Sequence, residues 1–288
     1  MNKAVVVGKG IVEINAGKKG PRIGIVCNVH GNELCGRKAV HKVLSKYEIQ
    51  RGSLVLIDGN QEAALLNRRF VASDMNRMFT RKQLANKKAD QDLLRAQYLA
   101  KTIPTLGLDH AIDFHSTSSE TKHPFSVSFP GSEKLTALCP VVHIYGWPSV
   151  TGTTPGTLVE YMNTKGIPSV VIEAGQHVAE ASIRVAEKTL LSALSHFKLI
   201  SLKKPFRIPA QKKFEVFDQV MVGDAETFRF TRQYASFDRL KPGEKIAKDK
   251  TRSYEVPDEK GLSILMPALQ KNVTDGTSPG AYYLMRSL

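Results

Sequence analysis

The chain has 288 residues, 42% hydrophobic and 24% charged, with a formal net charge of +14. That length suits one large domain with a smaller one, since single hydrophobic cores stop growing at roughly 250 to 300 residues, and the composition sits near the average for soluble globular proteins, so disorder is not expected. Cys27, Cys35 and Cys139 make no disulfide framework, and neither a signal-peptide core nor a membrane span is readable, so a reducing, cytoplasmic location is expected.

In chain order, Arg22 to Cys27 reads as a buried strand, Glu33 to Ser45 as a helix and Ser53 to Asp58 as a second strand. This is the βαβ rhythm of an α/β fold: a mixed, mostly parallel sheet flanked by helices. Ala89 to Lys101 has helical periodicity, and His110 to Phe114, Phe125 to Phe129 and Val141 to Tyr145 read as strands. Thr157 to Thr164 reads as helix, Ser169 to Glu173 as a buried strand, and Glu180 to Phe197 as a long helix. Beyond Ile200 the character changes to prolines (205, 209, 242, 257, 267, 279) and short alternating runs such as Glu215 to Val222 and Thr227 to Thr231. A large domain over 1–204 and a smaller β-rich domain over 205–288 are expected.

The basic clusters at Lys203, Lys204, Arg207, Lys212 and Lys213, and at Lys241, Lys245, Lys248 and Lys250, are not interleaved with stacking aromatics. They read as a solvated surface that attracts small anions, so neither nucleic acid nor membrane is an expected partner.

Chemistry gathers at strand ends, where open α/β sheets collect their ligands. His30 and Glu33 stand three apart where the first buried strand gives way to a helix, and His115 ends another apolar strand. Alone, the first pair also reads as a helix start whose Glu complements the dipole, and His115 as a loop histidine. Together the three make the His₂Glu set of a catalytic zinc site, with a fourth position left for water. Such a site needs a base and an oxyanion donor. Glu173 closes the run Ser169-Val170-Val171-Ile172, a costly place for a charge unless it faces a cleft or a partner. Arginines cluster in Asn67 to Arg77, and their planar forks suit a carboxylate-bearing substrate.

In this order, His30-Gly-Asn-Glu33, Arg69, Asp74-x-Asn76-Arg77, Asp113-Phe-His115, Ile172-Glu173-Ala-Gly175 and Gly280-Ala281-Tyr282-Tyr283 resemble the succinylglutamate desuccinylase and aspartoacylase family, a branch of the zinc carboxypeptidase-like hydrolases. The resemblance spans essentially the whole chain. It implies one zinc ion per chain on His30, Glu33 and His115, Glu173 as general base, and Arg69 as the donor that stabilises the oxyanion. It also implies that Asn76 and Arg77 hold the substrate carboxylate, that Tyr282 reaches in from a C-terminal domain capping the active site, and that Asp74 orients His30 from behind. The implied activity is cleavage of the amide bond of a small anionic N-acyl amino acid.

Two departures bear on specificity. Aspartoacylases place a Tyr and an Arg shortly before the base, whereas Val159 to Asn163 contains no arginine. After the base stands Gln176-His177 rather than a proline-containing run, and His177 is read as starting the next helix rather than facing the pocket. Two other functions use the same features: a zinc carboxypeptidase acting on short peptides, and a non-catalytic anion or nucleic-acid binding protein on the same fold. Cys27 and Cys35, which flank the first motif, read as small buried residues. The acyl group and the oligomeric state, a homo-oligomer included, are left open.

Overall fold

The computed structural model describes residues 3–147, 156–177, 179–274 and 280–288. The apolar runs become strands, and β3 (Arg22–Cys27), β4 (Ser53–Asp58), β5 (His110–Thr117) and β8 (Ser169–Gln176) form the parallel centre of a mixed sheet. β1 (Lys3–Gly8) and β2 (Ile11–Asn15) add an antiparallel edge beside β4. On the other side β6 (Phe125–Val127) runs antiparallel to β8, and β7 (Val142–Tyr145) runs parallel to β6.

Hydrophobic spacing decides which helix covers which face. Ala39, Val40 and Val43 put one apolar stripe on the helix Cys35–Leu44. With Leu190 and Leu194 of the helix Glu180–His196, it buries Ile23, Ile25, Leu54, Ile112, Phe114, Val170 and Ile172. The opposite face is closed by Leu93 and Leu99 of the helix Gln91–Thr102 and by Val159 of the helix Leu158–Thr164, packed on Val26, Val55, Ile57 and Ala111.

The residues beyond 204 are β-rich and have a core of their own, built on Phe228, Tyr234, Ile246, Tyr254, Tyr282 and Leu284. They do not stand apart from the large sheet. β9 (Lys213–Met221) pairs in parallel with β7, and β14 (Gly280–Ser287) and β13 (Leu262–Leu265) follow antiparallel, completing an 11-stranded order β1-β2-β4-β3-β5-β8-β6-β7-β9-β14-β13. A separate three-stranded sheet holds β10 (Arg229–Phe230), β11 (Lys245–Lys248) and β12 (Ser253–Glu255). No helix among the described residues is long and apolar enough to cross a membrane.

The first metal-candidate turn is fixed by close backbone packing. Asn28 leaves β3 at φ 57°, a left-handed conformation that asparagine tolerates better than most residues, and its carbonyl accepts from Asn60 at 2.8 Å. The helix begins at Cys35, so Glu33 lies in the turn before it, its N–H donating to the His30 carbonyl at 3.1 Å. Gly31 donates to the Arg69 carbonyl at 3.2 Å, and a Cβ at Gly31 would lie 2.1 Å from the Ala63 backbone. That contact is with main chain, which cannot swing aside. Gly31→Ala is therefore expected to destabilise the fold by about 1–3 kcal/mol or more, measured as a lower urea midpoint.

Candidate metal centre and active site

Three strands deliver the site. The turn after β3 carries His30 and Glu33, β5 carries His115, and β8 carries Glu173, which is the register neighbour of His115. Register neighbours on adjacent strands present their side chains to the same face, so the base candidate stands beside a ligand candidate.

His30 Nδ1 lies 2.9 Å from Glu33 Oε1 and His115 Nδ1 lies 2.9 Å from Glu33 Oε2. The two imidazoles meet edge to face, 5.0 Å between centroids. One ligand atom from each of the three residues lies within 4.8 Å of the others, and all three residues are buried. The spacing that lets a proton bridge imidazole and carboxylate also admits a divalent cation. Each ring's other nitrogen is committed: His30 Nε2 faces Asp74 Oδ1 at 3.2 Å and His115 Nε2 faces Asp113 Oδ2 at 3.0 Å. This carboxylate–imidazole pairing orients metal-ligating histidines and raises their basicity. The donor set thus fits a metal ion.

The electrostatics are those of charges held together out of water. Burial opposes ionisation of Glu33, yet His30 and His115 hold its carboxyl well below the usual range. Asp74 is likewise depressed against its burial, by His30, Arg69 and Arg77. Glu173 goes the other way: burial, opposed by His115 and reinforced by Glu33, pushes its carboxyl up to about 7. Its Oε2 is buried with no hydrogen-bond partner. A buried carboxyl oxygen left unpaired beside a cluster of candidate metal ligands makes Glu173 a candidate functional residue.

Arg69 donates to Asp74 Oδ2 through Nε at 3.3 Å and Nη2 at 3.0 Å, while its Nη1 comes within 3.6 Å of Glu33 Oε1. Its remaining N–H groups thus lie at the edge of the cluster. Asn76 is buried, and its Oδ1 accepts from the Leu158 N–H at 3.0 Å, which orients its amide group and leaves the amide nitrogen as the donor for an anionic ligand. Arg77 is exposed, with Nη1 donating to the Asn76 carbonyl at 2.8 Å.

Two expectations need correction. Tyr282 does not reach the site: it is 1% exposed and packs with Phe228, Tyr234 and Tyr254 in the C-terminal core. A register irregularity between Gly280 and Tyr282 sets which tyrosine faces which side, and Tyr283 is the one turned toward Trp147, 4.7 Å between ring centroids, and toward Arg77. His177 does not start the helix, which begins at Glu180. Its ring is held between the Ser116 and Ser118 hydroxyls at 2.8 and 3.0 Å.

Sequence reasoning also missed Asp92. Buried at the start of the helix Gln91–Thr102, it accepts from Ala72 at 2.6 Å and Ser73 at 3.0 Å, and so pins the loop that carries Arg69 to Arg77. An acidic residue in a first helical turn signals only a favourable dipole contact, and nothing local marks its long-range role. Cys35 donates to the His115 carbonyl at 3.4 Å, and burial with Glu33 and Glu173 nearby pushes its thiol up to about 12. A thiol so firmly protonated is a poor metal ligand.

An α/β sheet with two histidines and a carboxylate converging at the carboxyl ends of its strands defines the class: a protein built around a candidate mononuclear metal centre. Residues 19–197 match the model of the succinylglutamate desuccinylase/aspartoacylase catalytic domain, and the chain belongs to that family. A probable aspartoacylase of Parasynechococcus marenigrum (strain WH8102) is 35% identical over 101 residues, a match spanning 33% of this chain and 33% of that relative. The succinylglutamate desuccinylase of Chromobacterium violaceum superposes with a TM-score of 0.73 at 15% identity, over 99% of this chain and 91% of that one. Murine aminoacylase 3 gives 0.67 at 18% identity, over 94% and 96%. At such identities the structures show a shared fold, and it extends through the C-terminal strands.

Removing the carboxylate behind His115 tests the centre. Asp113→Asn is expected to weaken zinc binding by about 10–100-fold, read by competition with a chromogenic chelator.

Proposed function

We propose that the chain is a zinc-dependent hydrolase that cleaves the amide bond of a small N-acyl amino acid or related carboxylate-bearing substrate. The observation that carries this reading is the Glu33 carboxylate held between the Nδ1 atoms of His30 and His115, with the unpartnered oxygen of Glu173 beside them. Family membership supports it, and the names of the relatives, aspartoacylase and aminoacylase, agree with it.

His30, Glu33 and His115 would hold zinc, which supplies Lewis acidity when bound. The chain's own side chains do the rest. Glu173 takes the proton of the attacking water and returns it to the departing amine nitrogen, a transfer suited to a carboxyl whose pKa lies near neutrality. Arg69, oriented by Asp74, donates to the carbonyl oxygen as negative charge develops there. Arg77 pairs with the substrate carboxylate, assisted by the Asn76 amide nitrogen. Tyr283, whose ring meets Trp147 and feels the charge of Arg77, would supply an aromatic wall on that side. The substrate is a small anion, and neither nucleic acid nor membrane enters the reading.

Glu173→Gln is expected to lower kcat by about 10²–10⁴-fold while zinc content stays near one per chain. Full activity in that variant would refute the assigned base. A panel of N-acyl amino acids and unblocked dipeptides separates the proposed activity from a carboxypeptidase: hydrolysis confined to the acyl amino acids is expected, and hydrolysis confined to the dipeptides would overturn the reading. Tyr283→Phe should raise KM for the acyl amino acid, and Tyr282→Phe should leave it unchanged.

A further inference from the structure

His177 is an imidazole that the proposed reaction does not use. It follows β8, with its backbone N–H donating to the Thr117 carbonyl at 3.1 Å. Nδ1 lies 2.8 Å from the Ser116 hydroxyl and Nε2 lies 3.0 Å from the Ser118 hydroxyl. A neutral imidazole offers one donor and one acceptor, and a hydroxyl can serve either role, so both ring nitrogens are satisfied whichever carries the proton. The ring cannot also bind substrate or carry a catalytic proton without giving up one of these partners.

Ser116 shows what the ring accomplishes. Its backbone N–H donates to Glu33 Oε2 at 3.0 Å, the same oxygen that faces His115 Nδ1. That amide is the fixed donor that sets the orientation of the Glu33 carboxylate, and it sits where the β5–β8 register shifts, between His115 and Thr117. Past the shift the backbone pairing resumes at Thr117 opposite Gln176 and through the His177 N–H, and the ring of His177 adds two side-chain contacts at the same strand end. Ser116 is 4% exposed, so a hydroxyl deprived of its imidazole would lose that partner out of reach of water, with the weakly bonding Cys35 thiol left to meet it.

We propose that His177 is a positioning residue that clamps the end of β5 through Ser116 and Ser118, and thereby fixes the Glu33 carboxylate between His30 and His115. This rests on the metal centre proposed above. It predicts that the imidazole contributes to metal affinity without touching the metal or the substrate.

The test compares wild type, His177→Ala and His177→Gln as full chains. Zinc affinity is read by chelator competition, kcat and KM on an N-acyl amino acid, and hydrogen exchange at the Ser116 amide in zinc-free protein. His177→Ala is expected to weaken zinc about 10–100-fold, to lower kcat with little change in KM, and to speed exchange at Ser116. His177→Gln, which keeps one donor and one acceptor, should recover most of each loss. Unchanged zinc affinity and unchanged Ser116 exchange in His177→Ala would overturn the proposal, as would a rise in KM alone, which would make His177 a substrate contact. Should wild type bind no zinc, the functional reading fails while the Ser116 amide still decides the clamp. If His177→Ala does not fold, Ser118→Ala, which removes one of the two contacts, carries the same comparison.

Discussion

The rest of the site depends on one buried carboxylate. Glu33 is 2% exposed, and an ionised carboxylate there is tolerated only because donors meet both of its oxygens. His30 comes from the same turn, and His115 and the Ser116 amide from a strand 82 or 83 residues away. Breaking such a buried arrangement by deleting one partner typically costs about 3–5 kcal/mol. A fold that places these groups so closely is committed to a positive centre at that point. Asp74 and Asp113 extend the alternation outward, carboxylate behind imidazole, so that each ring presents Nδ1 inward.

The alternation separates the roles of carboxylates that look alike in sequence. Glu33, Asp74 and Asp113 are each paired with an imidazole, and Glu33 and Asp74 sit well below the ordinary carboxylate range. Glu173 is pushed up by the same burial, with the Glu33 charge adding to it, and its Oε2 has no hydrogen-bond partner. Two glutamates of one site, Glu33 in the turn after β3 and Glu173 on β8, are driven in opposite directions by their surroundings, and the proposed division between an ion-holding and a proton-moving carboxylate rests on that contrast.

How far the sequence reveals this depends on the range of the interaction. The strands that build the parallel centre, and the His30, Glu33, His115 and Glu173 positions at their carboxyl ends, follow from apolar runs ending in polar residues, a local signal. Orientation along β14 does not: the irregularity at Gly280 to Tyr282 moves a tyrosine to the other face, since side chains alternate with a period of two. The roles of Asp92 and His177 arise from contacts 20 and 61 residues distant, and no spacing within either segment encodes them. The joining of β9 to β7 is also tertiary. A proline-rich change of composition near residue 205 marks where the long helices stop, not whether the sheet does. The C-terminal region meets the first part of the chain again at the loop after β5, where Lys122 pairs with Asp238 at 2.6 Å, and at β6, where Phe237 packs edge-on against Phe125. That loop and the C-terminal region thus share a boundary.

X-ray absorption at the zinc edge of the purified, zinc-loaded chain reads the centre most directly. The account predicts one ion per chain bound only by nitrogen and oxygen donors, with two imidazoles at about 2.0–2.1 Å. A chain that retains no zinc, or a spectrum showing sulfur at about 2.3 Å, would contradict it.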